Sequence, residues 1–213
     1  MNPTWFAFLV ALVAARNAVG ESDGRLTAEQ AMQKVVSSFH IEQSPPETAI
    51  KKLNMISPVP INAECNRKAA SIREMVFTNQ TLGEIVAEVA QMLSTRVLTN
   101  SYCITLVDEA ILQDPEHAMN VILPYYAVTN LPILTAEREL FRRPEIQARK
   151  YYTIVGYPLT MSGSFEQRNY PVTVSLTNVT PRQALNELVV QHGACYWRLS
   201  SFDNDNFFGF LDR

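Results

Sequence analysis

The chain has 213 residues, which is enough for one large domain or two small ones. Hydrophobic residues make up 47% and charged residues 18%, a balance typical of a folded globular chain rather than a disordered one. Eighteen basic against 21 acidic residues give a net charge of -3, which argues against a dedicated nucleic-acid binder. Three cysteines exclude a disulfide-rich scaffold.

The first twenty residues have the pattern of a cleaved signal peptide. An uncharged run, WFAFLVALVAA, covers residues 5–15 and is too short for a bilayer span, which needs roughly 20 residues. Ala18 and Gly20 precede a possible cut before Glu21, although no Lys or Arg stands in front of the run. A buried N-terminal helix is the alternative. No later stretch is apolar enough for a span, so we predict a periplasmic or secreted mature chain without a transmembrane segment.

Four segments share one pattern, in which a short β-prone run leads through a polar turn into a stretch with helical periodicity. These segments are residues 39–53, 76–90, 126–140 and 174–188. The dipeptide Thr-Asn recurs in three of the turns and ends at Asn79, Asn130 and Asn178. Such self-similarity predicts a repeated strand-to-helix unit.

Capping boxes predict where the helices begin. Boxes start at Thr27, Ser44, Thr81 and Thr180, each with Glu or Gln three residues later. In such a box the hydroxyl accepts a hydrogen bond from a backbone N–H, and the Glu or Gln side chain accepts one from the capping residue. The segment 126–140 lacks a clean box. Gly193 follows the last predicted helix, where a left-handed C-cap residue belongs.

Alternating apolar and polar residues predict the strands. The runs at 171–177 and 195–200 alternate, the run at 207–211 reads as a return strand, and 97–107 reads as a hairpin. We therefore predict an α+β fold of two small modules, each with helices packed on one face of a small sheet. The predicted boundaries are a signal peptide at 1–20, an N-terminal helical segment at 21–35, a first module at 36–107, a linker at 108–120 and a second module at 121–213.

The segment 36–107, with its runs FHIEQSPPETAIKKL and VFTNQTLGEIVAEVA, resembles the secretin and TonB N-terminus short domain. In that family a strand, a capped helix and a further strand precede a strand–helix–hairpin unit. Segment 171–213 is similar to the second half of the same domain, and 126–140 stands where a degenerate first half would lie. The resemblance implies the periplasm of a Gram-negative-type bacterium and docking to proteins. It does not imply transport or secretion by this chain.

The sequence carries no recognisable catalytic or metal-binding constellation. The histidines His40, His117 and His192 have no partner at helical spacing, and no nucleophile-elbow, dinucleotide or phosphate-loop motif occurs. The run at 203–206 begins like a calcium loop, but Phe208 stands where that loop needs Gly. We predict no enzymatic activity, no cofactor and no metal.

Two further features have plain structural interpretations. Cys103 and Cys195 lie in strand-like runs and are predicted to be small buried hydrophobes, with one disulfide among these two and Cys65 as the alternative. The charged cluster at 138–150 predicts a solvated helix face. A docking patch for an acidic partner or an anionic lipid surface is the alternative there.

The sequence favours a non-enzymatic periplasmic adaptor that docks to an envelope protein, and not to nucleic acid, through open sheet edges. The C-terminal strand is the predicted edge because no sequence follows to cover it. Its predicted partner-binding residues are Phe207, Phe208, Gly209, Phe210 and Leu211. The alternative is a binding protein for a small ligand or cell-wall component held between the modules, with Tyr125-Tyr126 and Tyr151-Tyr152 as candidate lining residues.

Overall fold

A computed structural model describes residues 24–66, 71–149, 154–156, 170–202 and 205–213, and helices and strands are mixed along these residues. The strands are β1 (Val35–Ile41), β2 (Ile61–Asn66), β3 (Met75–Thr81), β4 (Thr95–Thr99), β5 (Ile104–Asp108), β6 (Leu123–Pro132), β7 (Ile154–Gly156), β8 (Pro171–Val179), β9 (Cys195–Phe202) and β10 (Asp205–Asp212). The helices are α1 (Ala28–Met32), α2 (Pro46–Ile56), α3 (Leu82–Met92), α4 (Glu109–Gln113), α5 (Ile133–Phe141), α6 (Pro144–Gln147) and α7 (Pro181–His192), with a 3-10 helix at Ala118–Asn120. The predicted α+β class is confirmed.

Two predictions concern the N-terminus and membrane spans. The predicted signal peptide at 1–20 lies outside the described residues. Among the helices that the structure describes, none is long and apolar enough to cross a membrane.

The strands fall into two repeats with the same pairing pattern. In the first repeat (β1 to β5), β1 pairs antiparallel with β3, while β5 lies between β2, to which it is parallel, and β4, to which it is antiparallel. In the second repeat (β6 to β10), β6 pairs antiparallel with β8, and β10 lies between the parallel β7 and the antiparallel β9. The predicted hairpins β4–β5 and β9–β10 are therefore confirmed. The stretch 108–120, expected to be a linker, contains α4 and the 3-10 helix.

The two repeats meet in one continuous sheet. Strand β2 of the first repeat pairs in parallel with β9 of the second, which gives a six-stranded sheet in the order β4-β5-β2-β9-β10-β7. Strands β5, β2 and β9 run one way and β4, β10 and β7 run the other. Within this sheet β2, β4 and β5 are thus antiparallel to their counterparts β7, β9 and β10, so the second repeat is turned over relative to the first.

This inversion places the two hydrophobic cores on opposite faces of the sheet. The first core contains Ile61 and Ala63 of β2 together with apolar residues of α2 and α3. The second core contains Trp197 of β9 together with apolar residues of α5 and α7. Since successive side chains of a strand point to opposite faces, Tyr196 joins the first core while its neighbour Trp197 joins the second.

Three of the four predicted capping boxes are present. The Oγ1 atoms of Thr27, Thr81 and Thr180 each accept a hydrogen bond of 3.2 Å from the backbone N–H three residues later. The box predicted at Ser44 is wrong, because α2 begins one residue later with Pro45 as its N-cap. The backbone of Ser44 instead pairs with that of Ile72, through N–O distances of 3.1 and 2.8 Å, and this bridge holds Ser44 away from the helix end.

The recurring Thr-Asn dipeptide has a backbone cause. Asn79, Asn130 and Asn178 have φ angles of 53°, 52° and 52°, and each stands two residues before the N-cap of the following helix. Asparagine tolerates this left-handed conformation better than most residues, so it suits the corner where a strand turns into a helix. Gly193 has φ of 79° and caps α7, as predicted.

Candidate functional site

The predicted C-terminal edge lies inside the sheet along part of its length. Phe207 and Phe208 pair with β9 on one side and with β7 on the other. The prediction of a free edge at these two residues is therefore wrong, since a strand from earlier in the chain covers them. Gly209, Phe210 and Leu211 pair with β9. The side chains of Phe208 and Phe210 are buried in the second core, and that of Leu211 packs against the first.

Strand β4 is the fully described edge of the six-stranded sheet. It pairs with β5 on one side, and no described strand pairs with its other side, which we call the open side. The backbone N–H of Asn100 donates to the carbonyl of Cys103 at 3.1 Å, which makes this pair the hydrogen-bonded end of the hairpin. Because bonding alternates along an antiparallel pair, Thr95, Val97 and Thr99 direct their backbone N–H and C=O groups to the open side.

The side chains of β4 are partly buried against the first core and partly exposed to solvent. Val97 packs partly against the first core, whereas Arg96 and Thr99 are exposed. Thr95, Val97 and Thr99 are β-branched, which suits a pleated edge. Strand β4 therefore presents a short, β-prone surface with unpaired backbone groups, and such a surface can accept a strand from another chain.

A buried polar cluster joins the two repeats beneath the sheet. The Oδ1 atom of Asn186 in α7 accepts hydrogen bonds from Asn62 Nδ2 at 3.0 Å, Thr105 Oγ1 at 3.2 Å and Trp197 Nε1 at 2.8 Å. The Oδ1 atom of Asn62 in turn accepts from the backbone N–H of Trp197 at 3.0 Å. The face of β2 and β5 that points away from the first core, which we call the back face, is thus polar where it meets α7. The side-chain donors of Asn62 and Thr105 on this face are hydrogen-bonded to Asn186 of the other repeat.

A buried ion pair lies beside this cluster. Arg182 of α7 donates from Nε to Glu64 Oε1 at 2.5 Å and from Nη2 to Oε2 at 2.8 Å, and Nη2 also donates to Asn120 Oδ1 at 2.9 Å. Glu64 is fully buried and Arg182 is 6% exposed. Burial raises the pKa of the Glu64 carboxyl, and the Arg182 guanidinium opposes that rise. Since two hydrogen bonds join Glu64 of β2 to Arg182 of α7 out of reach of solvent, the pair fastens the two repeats together.

A cavity of about 340 Å³ lies where both repeats meet the N-terminal segment. Its wall includes Arg25, Pro60, Tyr102, Val190 and Arg213. The guanidinium of Arg25 donates to the carbonyl of Val190 at 3.0 Å, so one cationic group is held at the rim. Among the described residues that line the cavity are two arginines and no Asp or Glu, which would suit a small anionic ligand with an apolar body.

Of the tyrosines that sequence analysis nominated, the two that the structure describes, Tyr125 and Tyr126, do not line this cavity. Tyr126 is buried in the second core and donates from its hydroxyl to the carbonyl of Ala136 at 2.7 Å. Tyr125, the next residue, is exposed on the other face of β6. Tyr151 and Tyr152 lie outside the described residues.

The three histidines occupy unrelated places. His40 lies on the surface with Nε2 at 2.9 Å from Glu74 Oε1. His117 is buried and accepts a hydrogen bond from the backbone N–H of Met119 at 3.2 Å, while burial and then the nearby Arg182 charge lower its pKa. His192 ends α7 and is buried. Within the described ranges, no group of three His, Cys, Asp or Glu residues is placed to hold a metal ion.

The prediction that Cys103 and Cys195 are small buried side chains is confirmed. Cys65, Cys103 and Cys195 are all buried and none is in a disulfide. Burial raises the pKa of the Cys65 and Cys103 thiols to about 12, so the reactive thiolate is scarce at neutral pH. Their role is that of small apolar side chains.

The charged cluster at 138–150 forms ion pairs on the surface, in line with the solvated helix face predicted for it. Arg142 Nη1 lies 3.0 Å from Glu139 Oε1, one helical turn away. Arg149 Nη1 lies 2.7 Å from Glu116 Oε2. Each of these arginines already has an acidic partner within the chain, which lowers the attraction of the cluster for an external acidic surface.

No family model matches this chain, and no curated protein or solved structure matches it.

Sequence reasoning missed the junction between the repeats. Its residues are Asn62 and Glu64 on β2 and Arg182 and Asn186 on α7. A signal was available, since the two α7 residues are spaced i, i+4 beside the apolar stripe and the two β2 residues are spaced i, i+2. Each pair therefore lies on one face of its element, and both faces are polar in an otherwise apolar setting.

Proposed function

We propose that this chain is a non-enzymatic protein-interaction module of the periplasm that docks to an envelope protein by strand addition at β4. The observation that carries the proposal is the open side of β4, where Thr95, Val97 and Thr99 direct backbone groups away from the sheet. Strand addition draws its affinity from such main-chain hydrogen bonds. The signal-like segment 1–20 and the resemblance to the secretin and TonB N-terminus short domain support the periplasmic setting.

The chemistry of the described side chains supports a binding role over a catalytic one. The ion pair of Glu64 with Arg182 is buried and joined by two hydrogen bonds. The thiols of Cys65 and Cys103 are held protonated by burial. His117 uses Nδ1 to cap the 3-10 helix, which leaves that atom engaged in structure.

The test compares Thr99→Pro with Thr99→Ala in a pull-down from envelope extract. Proline removes the N–H that Thr99 directs to the open side, and it leaves the hydrogen bonds of Leu98 to β5 in place. Alanine removes the same side chain and keeps the N–H. We expect Thr99→Pro to reduce partner capture at least about tenfold, with a circular-dichroism melt close to that of Thr99→Ala. Equal capture by the two variants would reject β4 as the docking edge.

A second variant tests whether the part of β10 that contains Gly209 behaves as a free edge of the sheet. Gly209 lies on β10 and pairs with Arg198 of β9. We expect Gly209→Pro to lower the melting temperature strongly, because proline lacks a backbone N–H and Gly209 pairs with β9. A normal melt for Gly209→Pro would show that this part of β10 behaves as an edge, as the sequence first indicated.

The cavity between the repeats favours a second candidate function, the binding of a small anionic ligand. The two guanidiniums of Arg25 and Arg213 and the ring of Tyr102 support it. A thermal-shift screen with anionic cell-wall fragments tests this idea. A rise in melting temperature that is present in the wild type and lost in Arg25→Ala would support the cavity as the site, and no shift with any fragment would reject it.

A further inference from the structure

The cavity between the two repeats is apolar inside and cationic at its mouth. Three lining residues, Val59, Pro60 and Val190, are buried, whereas Arg25 and Arg213 are exposed. We propose that the cavity binds a small monocarboxylate with an apolar body, and that the guanidinium of Arg213 holds its carboxylate group. This inference rests on the second function proposed above, the binding of a small anion, and it names the class of that anion.

Arg213 is fixed by hydrogen bonds before any ligand arrives. Its backbone N–H donates to the carbonyl of Ala194 at 3.1 Å. Its Nη2 atom donates to the carbonyl of Ser57, so the side chain extends from the second repeat to the first. A guanidinium that is already oriented loses little conformational entropy when a ligand binds to it. Arg213 is therefore suited to receive an anion at the mouth of the cavity.

The charge of Arg213 has no counter-ion among the described residues. The Ser57 carbonyl is a neutral partner, and no described Asp or Glu forms an ion pair with this guanidinium. Burial lowers the pKa of Arg213, because part of the guanidinium is withdrawn from water. An arginine nevertheless stays protonated at neutral pH. A single positive charge without a counter-ion favours a ligand that carries a single negative charge.

The geometry of the donors favours a carboxylate. A guanidinium offers its N–H groups in a planar fork, and two of them match the two oxygens of a carboxylate. The second arginine of the cavity, Arg25, already interacts within the chain, in part through the Val190 carbonyl at 3.0 Å. A phosphate monoester carries about −1.5 to −2 charges at neutral pH, and Arg213 alone would leave part of that charge unbalanced.

The apolar lining determines the body of the ligand. Pro58 and Pro60 have no backbone N–H, so these residues need no hydrogen-bond acceptor from a ligand. The exposed ring of Tyr102 adds a flat apolar surface. The volume of about 340 Å³ lies at the lower end of the range of about 300–1,000 Å³ that is usual for ligand sites. One aromatic ring or a short branched alkyl chain, with one carboxylate group, matches this space.

The test compares three aromatic probes of similar size by NMR titration, because a ligand this small binds weakly. Phenylacetate carries one negative charge, phenylacetamide is neutral, and phenyl phosphate carries up to two negative charges. We expect phenylacetate to bind at least about tenfold more tightly than phenylacetamide, because a charge-assisted hydrogen bond is stronger than a neutral one. We also expect it to bind more tightly than phenyl phosphate, and more tightly than acetate, which lacks the apolar body.

A substitution at Arg213 tests whether this residue holds the carboxylate. We expect Arg213→Gln to weaken the binding of phenylacetate about tenfold and that of phenylacetamide by less than about twofold. Arg213→Lys keeps the charge without the fork and is expected to give an intermediate affinity for phenylacetate. Arg142→Gln is the matched control, since Arg142 is paired with Glu139 on the surface and does not line the cavity. A circular-dichroism melt of each variant confirms that the chain is folded.

The ligand class and the small-anion function fail in different ways. If phenyl phosphate binds more tightly than phenylacetate, the monocarboxylate is overturned and the binding of a small anion stands. If Arg213→Gln weakens phenylacetate and phenylacetamide equally, the contact between Arg213 and the carboxylate is overturned. If phenylacetamide binds as tightly as phenylacetate, or if no probe binds, both the ligand class and the small-anion function fail. Docking at β4 is tested separately by Thr99→Pro and does not depend on these outcomes.

Discussion

Helices α3 and α7 occupy the same place in the two repeats, yet they are buried to different extents. In α3 the buried residues form one apolar stripe, and the residues opposite it face solvent. In α7 the same stripe is present, and Arg182 and Asn186 are buried as well. The difference arises because α7 packs on its own strands and also on the back face of β2. Equal position within a repeat therefore does not mean equal environment, since one repeat has to supply the contacts that join the two.

The largest loss of stability is expected on removal of the ion pair between Arg182 of α7 and Glu64, because α3 has no corresponding ion pair. We expect Arg182→Ala to lower the free energy of unfolding by about 3–5 kcal/mol, because the buried Glu64 carboxylate loses its partner. Urea denaturation gives this value directly. The double variant Arg182→Met, Glu64→Leu removes both charges and is expected to recover most of the loss. A single variant as stable as the wild type would show that the pair does not hold the repeats together.

The next largest difference in stability between equivalent positions of the two helices is expected at Asn186 of α7, whose counterpart in α3 is Ala87. We expect Asn186→Ala to cost about 3 kcal/mol, because Asn62, Thr105 and Trp197 lose the acceptor that they share. Ala87 is exposed, so Ala87→Asn is expected to change stability by less than about 0.5 kcal/mol. The two melts should therefore differ clearly. If Asn186→Ala and Ala87→Asn both changed stability by equally small amounts, water would have to replace the missing amide oxygen of Asn186 at the junction.

Smaller losses of stability are expected for substitutions at the residues that precede the helices. Thr81→Ala and Thr180→Ala are each expected to cost about 1 kcal/mol, since each removes an observed cap acceptor. Ser44→Ala is expected to be neutral or slightly stabilising, because the buried Oγ of Ser44 has no hydrogen-bond partner among the described residues. Chemical denaturation of the three variants ranks them. A loss near 1 kcal/mol for Ser44→Ala would restore the capping role that its sequence pattern indicated.

The smallest effect concerns pH. Burial lowers the pKa of His117 below its usual value near 6.5, so the unfolded chain binds a proton at a pH where the folded chain does not. The contribution of His117 to stability is therefore lost as the pH falls through about 6.5, by up to roughly 1 kcal/mol between pH 7.5 and 5.5. Burial raises the pKa of Glu137 to about 7, which acts in the opposite direction, so the measure is the difference between the wild type and a variant at His117. His117→Asn keeps a cap acceptor and removes the titrating ring. The variant's melting temperature should fall less over this range, and parallel profiles for the two proteins would contradict the assignment.

Local features were predictable from the sequence, and the sheet order was not. The hairpins, the three threonine caps and the cap at Gly193 each depend on a few neighbouring residues, and all are present. The failure at Ser44 came from Ile72, a residue 28 positions away that bonds the serine backbone. The covering of β10 by β7 and the pairing of β2 with β9 depend on residues still farther apart. Nothing in the local sequence of a strand says which of its sides will be free.

The β2–β9 junction also determines how late during synthesis the six-stranded sheet can be completed. Asn62 is made 135 residues before Trp197, and Glu64 is made 118 residues before Arg182. At about 5–20 residues per second, synthesis leaves β2 without its second neighbour for roughly 7–27 seconds. Throughout that interval β2 has one unpaired edge, and Glu64 on its back face lacks the Arg182 partner. Until its late half arrives, the early half of the chain therefore exposes a strand edge of the kind that promotes aggregation in partly synthesised proteins.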